Sequence, residues 1–188
     1  MRIAIVSDIH GNVTAFEAIL ADLRQVSPDL ILHGGDLADI GSSPAEIVDR
    51  TRDLGWKGVL GNTDELHTRP ESLEKFAAGS SAPPSLWTAL REMAAATHTI
   101  LGEERIEWMR TLPQTIRQEQ LTLVHASPES LWSSPDPESS EHELESVYGP
   151  LRSSIVVYGH VHRSFIRNVS SSQAGEMLIQ IEFIAVVE

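Results

Sequence analysis

The chain has 188 residues, of which 41% are hydrophobic and 22% charged, the composition of an ordinary globular protein with a sizeable core. Its formal net charge of -13 argues against a nucleic-acid groove or an anionic membrane surface as a partner, because the bulk field repels phosphate polymers. The absence of cysteine excludes disulfides and thiolate metal ligands, which leaves His, Asp, Glu and Asn. No basic leader or bilayer-length apolar run is evident, so we expect a cytoplasmic protein.

Short apolar runs alternate with helical patterns in the first third of the chain. The spacing predicts a strand at 2–6, a helix at 13–25, a strand at 29–33, a helix capped by Ser43 with Pro44 at its first position, and a short strand at 58–60. The succession of strand, helix, strand, helix and strand implies a parallel sheet with right-handed crossovers.

The remaining residues predict a helical segment followed by further strands. Residues 65–112 favour a helical insert or cap, interrupted by a Gly/Ser/Pro-rich stretch at 79–84. Strands are predicted at 115–117, 121–124, 155–158, 165–169 and 177–183, with a helix near 141–149. We therefore expect one α/β domain over residues 1–188.

Five of the apolar runs end in a polar loop that carries residues able to bind metal. These residues are Asp8 and His10, Asp36 and Asp39, Asn62 and Asp64, His125, and His160 and His162. If the strand ends meet at one sheet edge, the loops can supply ligands for two adjacent metal ions. If the extended backbone of the first strand continues through Asp8 and His10, the side chains of these two residues point to the same side. Without sulfur ligands, Mn, Fe, Zn, Co and Ni are favoured over Cu(I).

These motifs, in this order, resemble the calcineurin-like metallophosphoesterases, specifically the small bacterial and archaeal phosphodiesterases. The matching stretches are Asp8-Ile9-His10, Gly35-Asp36, Gly61-Asn62-Thr63-Asp64, His125 and Gly159-His160-Val161-His162. The resemblance implies a four-layer αββα sandwich. It also implies one metal held by Asp8, His10, Asp36 and His162, and a second held by Asp36, Asn62, His125 and His160, with Asp36 as the bridge.

The implied reaction is hydrolysis of a small phosphoester substrate by a hydroxide that bridges the two metals, without a covalent enzyme intermediate. The residues expected to take part directly are Asp36, Asn62, Thr63 and Asp64, with Asp64 as a possible support for the loop.

The chain departs from the family pattern at two places. Thr63 stands where relatives usually carry a histidine that contacts the scissile phosphate or protonates the leaving group. Because a general acid contributes roughly 10²–10⁴-fold, we expect a preference for esters with good leaving groups. Secondly, residues 163–188 lack the Asn-Pro-Gly-Ser turn common in the family.

The sequence leaves several alternatives open. A catalytically weak protein that uses the metal fold as a binding or scaffolding surface competes with the phosphodiesterase, and a metallohydrolase of a non-phosphate ester is a third possibility. Among single residues, Asp8 could instead cap the first helix, Asp39 could be a surface carboxylate and His33 a core histidine. His67 could reach the substrate, and Trp132 could line its pocket. Neither the substrate nor the oligomeric state follows from the sequence.

Overall fold

The computed structural model of the protein describes residues 1–172, 175–181 and 184–187. The strands are β1 (Ile3–Val6), β2 (Leu30–His33), β3 (Lys57–Gly58), β4 (Thr115–Gln118), β5 (Leu121–Val124), β6 (Ile155–Val157), β7 (Phe165–Ser171), β8 (Gly175–Ile181) and β9 (Ile184–Val187). The α-helices are α1 (Val13–Val26), α2 (Pro44–Asp53), α3 (Asn62–Thr68), α4 (Glu71–Ala78), α5 (Pro84–Arg110) and α6 (Glu141–Tyr148), and a 3₁₀ turn covers Gly149–Leu151. None of the helices in these residues could span a membrane.

The strands form two mixed sheets. In the first, the order is β3-β2-β1-β9, with β1, β2 and β3 parallel and β9 antiparallel to β1. In the second, the order is β4-β5-β6-β8-β7, with β5, β6 and β8 parallel and both edge strands antiparallel to their neighbours. The first sheet confirms the predicted parallel unit at the start of the chain.

Side-chain alternation along the strands produces four layers. Ile3 and Ile5 of β1 pack into the cluster that joins the two sheets, together with Leu123 of β5. Ala4 and Val6 face the opposite way, against the helices α1, α2 and α5. The far side of the second sheet is covered by α6. The αββα sandwich expected from the sequence is therefore present.

The structure differs from the sequence prediction in several elements. A strand at Ile184–Val187 was not predicted, and it joins β1 of the first sheet. Residues 65–112 are mostly helical, as the sequence predicts, and α5, which follows the Gly/Ser/Pro-rich stretch, has a kink at Gly102. Asn12, whose side chain accepts from the Ala15 backbone N–H, caps α1, so Asp8 is not the cap. The last two residues of the strand predicted at 177–183 lie outside the described residues.

His33 is a core residue at the end of β2. It is fully buried, its ring lies 6.3 Å from that of Trp108, and neither ring nitrogen has a hydrogen-bond partner. A Cβ on Gly58 of the neighbouring strand would lie only 2.2 Å from the His33 ring, so glycine makes room for it. Burial lowers the pKa of His33 to about 3.

We expect His33 to make the fold acid-sensitive. Because its pKa falls from 6.5 to about 3 on folding, its contribution to stability is complete above pH 6.5 and is lost as the pH falls toward 3. Between pH 6.5 and 4.5 this loss is about 2 to 3 kcal/mol. His33→Leu should remove that part of the pH dependence, measured by urea unfolding at both pH values. Equal pH dependence in the variant and the wild-type protein would contradict the assignment.

Candidate metal centre

The predicted metal donors come together where strand ends of both sheets meet. The loops after β1 and β2 and the start of α3 contribute from the first sheet, and the loops after β5 and β6 contribute from the second. The donors are Asp8, His10, Asp36, Asn62, His125, His160 and His162. Residues separated by up to about 150 positions in the chain thus form one polar cluster at a shared sheet edge.

One part of the cluster lies around His10. Its Nε2 is 3.2 Å from the Nε2 of His162 and 3.6 Å from Oδ2 of Asp36. The same nitrogen of His162 lies 3.2 Å from Oδ1 of Asp8. His162 is the most open member, with 43% of its side chain exposed, so this part of the cluster is reachable from solvent.

The other part lies around the side-chain oxygen of Asn62. This oxygen is 2.8 Å from Nε2 of His125 and 3.0 Å from Nδ1 of His160. Nε2 of His125 is in turn 3.5 Å from Oδ1 of Asp36. The two oxygens of the Asp36 carboxylate therefore face different parts of the cluster, one toward His10 and the other toward His125.

The spacing of these atoms suits divalent metal ions. Ligand atoms that bind one tetrahedral ion at 2.0–2.2 Å lie about 3.3–3.6 Å from each other, close to the separations of 3.2 to 3.6 Å around His10. Two groups, Asp8 with His10 and His162, and Asp8 with Asp36 and His125, offer ligand atoms within 4.8 Å of one another. Asp8 belongs to both, so two carboxylates rather than Asp36 alone lie between the two parts.

Burial and mutual charge set the protonation of the cluster. Burial raises the pKa of the Asp36 carboxyl, and the charge of Asp8 adds to this rise. Burial lowers the pKa of His160 to about 4, with the charge of His125 acting in the same direction. Burial would also raise the pKa of Asp8, but its contacts with His162, His125 and Ser7 outweigh burial and lower it. The low pKa of His160 leaves its imidazole neutral near pH 7, the form that binds metal.

The backbone reaches this arrangement through left-handed conformations. The φ angles are +56° at Asp8, +49° at His10, +53° at Asp36, +69° at His160 and +51° at His162. The expectation of extended backbone through Asp8 and His10 is therefore wrong, since β1 ends at Val6. Their side chains still reach the same cluster because the chain turns sharply at each position. Left-handed backbone is costly for residues other than glycine and concentrates at functional sites.

Supporting residues orient the donors. The Ser7 hydroxyl donates to Oδ2 of Asp8 at 2.5 Å. Nδ1 of His125 lies 2.8 Å from the Gly34 carbonyl oxygen, which places the proton on Nδ1 and leaves Nε2 for a ligand. Ser7 and the Gly34 carbonyl were not singled out from the sequence, because no residue-type pattern marks a contact of this kind.

Asp64 supports the loops and does not reach the donor atoms. It is fully buried; one oxygen accepts from the backbone N–H groups of Leu37 and Ala38, and the other accepts from that of Gly61. Burial, with the nearby charge of Asp36, raises the pKa of Asp64 to about 6. Asp64, predicted among the catalytic group, is thus a positioning residue that ties the Asp36 loop to the start of α3.

Thr63 and His67 also lie in α3, and neither presents an acid to the cluster. The backbone N–H of Thr63 donates to Oδ1 of Asp36 at 2.9 Å, and its hydroxyl donates to the Ala38 carbonyl at 3.4 Å. His67 is fully buried and its Nε2 lies 2.8 Å from Oδ2 of Asp39. Asp39 therefore contacts His67 in the interior and is not a surface carboxylate. Because His67 faces Asp39, the expectation that His67 reaches the substrate does not agree with this geometry.

Gly61 is required by the close approach of α3 to the Asp36 loop. A Cβ at this position would lie 2.0 Å from Oδ1 of Asp36 and 2.2 Å from its backbone nitrogen. Gly159 has a similar role, because a Cβ there would lie 2.3 Å from Oδ2 of Asp8. These motif glycines leave the space that the two carboxylates occupy.

We expect Gly61→Ala to displace Asp36 and to lower metal affinity by about 10²-fold, since even supporting residues of metal sites contribute 10- to 100-fold. Equilibrium dialysis against Mn²⁺, with urea unfolding as a check on folding, measures this. Gly79→Ala is the control, because its nearest contact would be an ordinary 3.8 Å from the Phe76 carbonyl oxygen. Unchanged Mn²⁺ affinity in Gly61→Ala would contradict the steric argument.

Comparison with known proteins places this cluster in a family context. The chain is 28% identical over 183 residues to an uncharacterized protein of Methanocaldococcus jannaschii, covering 94% of this chain and 67% of that protein. Among solved structures it is similar to a metallophosphoesterase from Sphaerobacter thermophilus, with a TM-score of 0.74, 23% identity, and coverage of 96% of this chain and 75% of that one. A hypothetical protein from Pyrococcus horikoshii has a TM-score of 0.73, 15% identity, and coverage of 100% and 87%. The family model of the calcineurin-like phosphoesterase superfamily domain matches residues 1–179. The chain therefore belongs to this superfamily.

Proposed function

We propose that the protein is a phosphodiesterase that uses two divalent metal ions to hydrolyse a small phosphoester. Membership of the superfamily supports a metal-dependent phosphoesterase activity in general. The two-metal centre is inferred from the donor cluster, the preference for diesters from the resemblance to the small bacterial and archaeal phosphodiesterases, and the preference for good leaving groups from the surroundings of Thr63. Mn, Fe, Zn, Co and Ni all suit the mixture of carboxylate, imidazole and amide donors.

The observation that carries the proposal is the position of the Asp36 carboxylate. Its Oδ2 faces His10 and its Oδ1 faces His125, at 3.6 and 3.5 Å. In this proposal His10, His162 and Asp8 would hold one ion, Asn62, His125 and His160 would hold the other, and Asp36 would contribute to both. The N–H of Thr63 on Oδ1 of Asp36 fixes the plane of that carboxylate.

When bound, such ions supply a hydroxide nucleophile near neutral pH and neutralise charge on the phosphate. Hydrolysis would replace the bond between phosphorus and the leaving oxygen by a bond to the attacking oxygen, and the leaving oxygen would depart as an anion or take a proton from water. The chain itself orients the donors through Ser7, Asp64 and the Gly34 carbonyl. It keeps His160 neutral through burial, which lowers its pKa to about 4.

The preference for good leaving groups follows from the missing acid. Thr63 contributes no titratable group at physiological pH, and the nearest histidine in α3, His67, is buried against Asp39. A leaving group must then depart as an anion or be protonated by water. This same feature is the strongest argument for the competing function, a catalytically weak protein that uses the metal fold as a binding surface.

The first test measures metal content and hydrolysis together. We expect the protein reconstituted with Mn²⁺ to bind two ions and to hydrolyse bis(p-nitrophenyl) phosphate faster than p-nitrophenyl phosphate. Asp36→Asn should lower the hydrolysis at least about 10²-fold, because even outer residues of metal sites contribute up to that factor. Asp22→Asn, an exposed carboxylate on α1, is the matched control. Two tightly bound ions with no turnover of any phosphoester would favour the scaffolding function instead.

The second test restores the acid. In Thr63→His we expect the rate on an alkyl phosphodiester to rise by about 10- to 100-fold, since a positioned general acid contributes roughly 10²–10⁴-fold when ideally placed. The rate on bis(p-nitrophenyl) phosphate should change little, because nitrophenolate needs no proton to leave. An equal effect on both substrates would show that Thr63 does not limit leaving-group departure. Mn²⁺ content is measured in parallel to exclude a change in the metal site.

A further inference from the structure

A cleft opens between α4 and the loop that follows β5. Its volume is about 340 Å³, within the range of small-molecule sites. It is lined by side chains of α3, α4 and that loop, among them Glu65, Arg69, Lys75, Phe76, Ser130 and Trp132. None of these residues belongs to the donor cluster, and Trp132 is the residue that the sequence suggests could line the substrate pocket.

The cleft is continuous with the donor cluster through two elements. Helix α3 begins at the donor Asn62, and Glu65 follows about 4.5 Å further along the helix axis. On the other wall, a backbone group of Trp132 lies near the imidazole of the donor His160 and acts to raise its pKa against the larger effect of burial. A phosphate held at the donor cluster would therefore have its substituent within reach of the cleft.

The aromatic wall of the cleft is held in a fixed orientation. The rings of Phe76 and Trp132 lie 4.8 Å apart at an angle of 31°. Nε1 of Trp132 donates to Oε2 of Glu65 at 2.7 Å, which fixes the plane of the indole. An aromatic side chain restrained in this way loses little entropy when a second ring packs against it.

The charged wall of the cleft contains two basic side chains, Arg69 and Lys75, although the net charge of the chain is -13. Arg69 forms an ion pair with Glu65, which also accepts from Trp132, so the charge of Glu65 is balanced locally. Glu71 also lines the cleft. Within the described residues, Lys75 is exposed and has no acidic partner. Lys75 is therefore available to an anionic group of a ligand.

We infer that this cleft is the specificity site for the substrate and binds a planar aromatic substituent of the phosphodiester, such as a nucleobase, with a further anionic group near Lys75. This inference rests on the proposed function, because it takes the phosphate to lie at the donor cluster. The substrate is then a nucleotide-like diester whose leaving group is itself a phosphate, which needs no general acid, and not a simple alkyl diester.

The binding test uses two ligands that differ only in the ring. Isothermal titration calorimetry with the Mn²⁺-loaded protein compares adenosine 5′-monophosphate with ribose 5-phosphate. We expect the nucleotide to bind about tenfold more tightly, as stacking on one aromatic side chain provides. The difference should vanish in Trp132→Ala and persist in Trp132→Phe, which retains a ring. Equal affinity for the two ligands, or no measurable binding of either, would overturn the inference.

The kinetic test separates this inference from the proposed function. In the Mn²⁺-loaded protein, Lys75→Gln should raise KM for a dinucleoside tetraphosphate about tenfold and leave its kcat unchanged, whereas Lys57→Gln, a lysine on β3, should change neither. If bis(p-nitrophenyl) phosphate is hydrolysed but Lys75→Gln and Trp132→Ala leave KM unchanged, the cleft is not the specificity site and the metal-dependent activity stands. If the protein binds the nucleotide more tightly than ribose 5-phosphate but hydrolyses no phosphoester, the proposed function is wrong and the assignment of the cleft as a nucleotide-binding site is kept.

Discussion

The buried carboxylate of Asp36 is the constraint on which the rest of the structure depends. A carboxylate removed from water is stable only when cations or donors compensate for its lost hydration, and burial accordingly raises the pKa of Asp36. The chain surrounds this group with the N–H of Thr63 and with the imidazoles of His10 and His125. Burial lowers the pKa of His125, but the charges of Asp36 and Asp8 outweigh burial and raise it, so the site favours positive charge at this position. The cluster is therefore built for metal cations, which also offset the mutual repulsion of Asp8 and Asp36.

The geometry of the cluster has a cost in backbone energy that the sandwich has to offset. Five of its donors adopt left-handed backbone, and each such residue costs on the order of 1–2 kcal/mol. The layer between the two sheets, which buries Ile5, Leu32 and Leu123, holds the strand ends in place so that the loops cannot relax. The motif glycines act in the same direction, because a side chain at Gly61 or Gly159 would occupy the space of a carboxylate oxygen. Rigid strand ends and glycine turns together hold the donors in their converged positions.

Much of this was predictable from the sequence, and the failures have physical causes. The donors could be found because each directly follows an apolar run, and parallel strand ends meet at one edge. The strand at Ile184–Val187 was missed since it follows β8 after only two residues, and apolar runs so close together look like one strand. Helix α3 was missed because it is short and begins with the polar residues Asn62, Thr63 and Asp64. The contact of Trp132 with Glu65 joins positions 67 apart, which no local pattern reveals.

The missing acid at Thr63 and the cleft at Trp132 are connected by the energetics of catalysis. An enzyme without a general acid has to lower the barrier elsewhere, and binding energy from the non-reacting part of a substrate can serve this purpose. The Trp132 ring is fixed by Glu65, and Lys75 offers an unpaired cation to a distant anionic group. Contacts there would hold the phosphate in position for attack, and positioning of this kind contributes several kcal/mol to a barrier. On this argument the chain tolerates threonine at position 63 because its substrate is recognised at a distance from the phosphate, so small esters that cannot reach the cleft should be the slowest of its substrates.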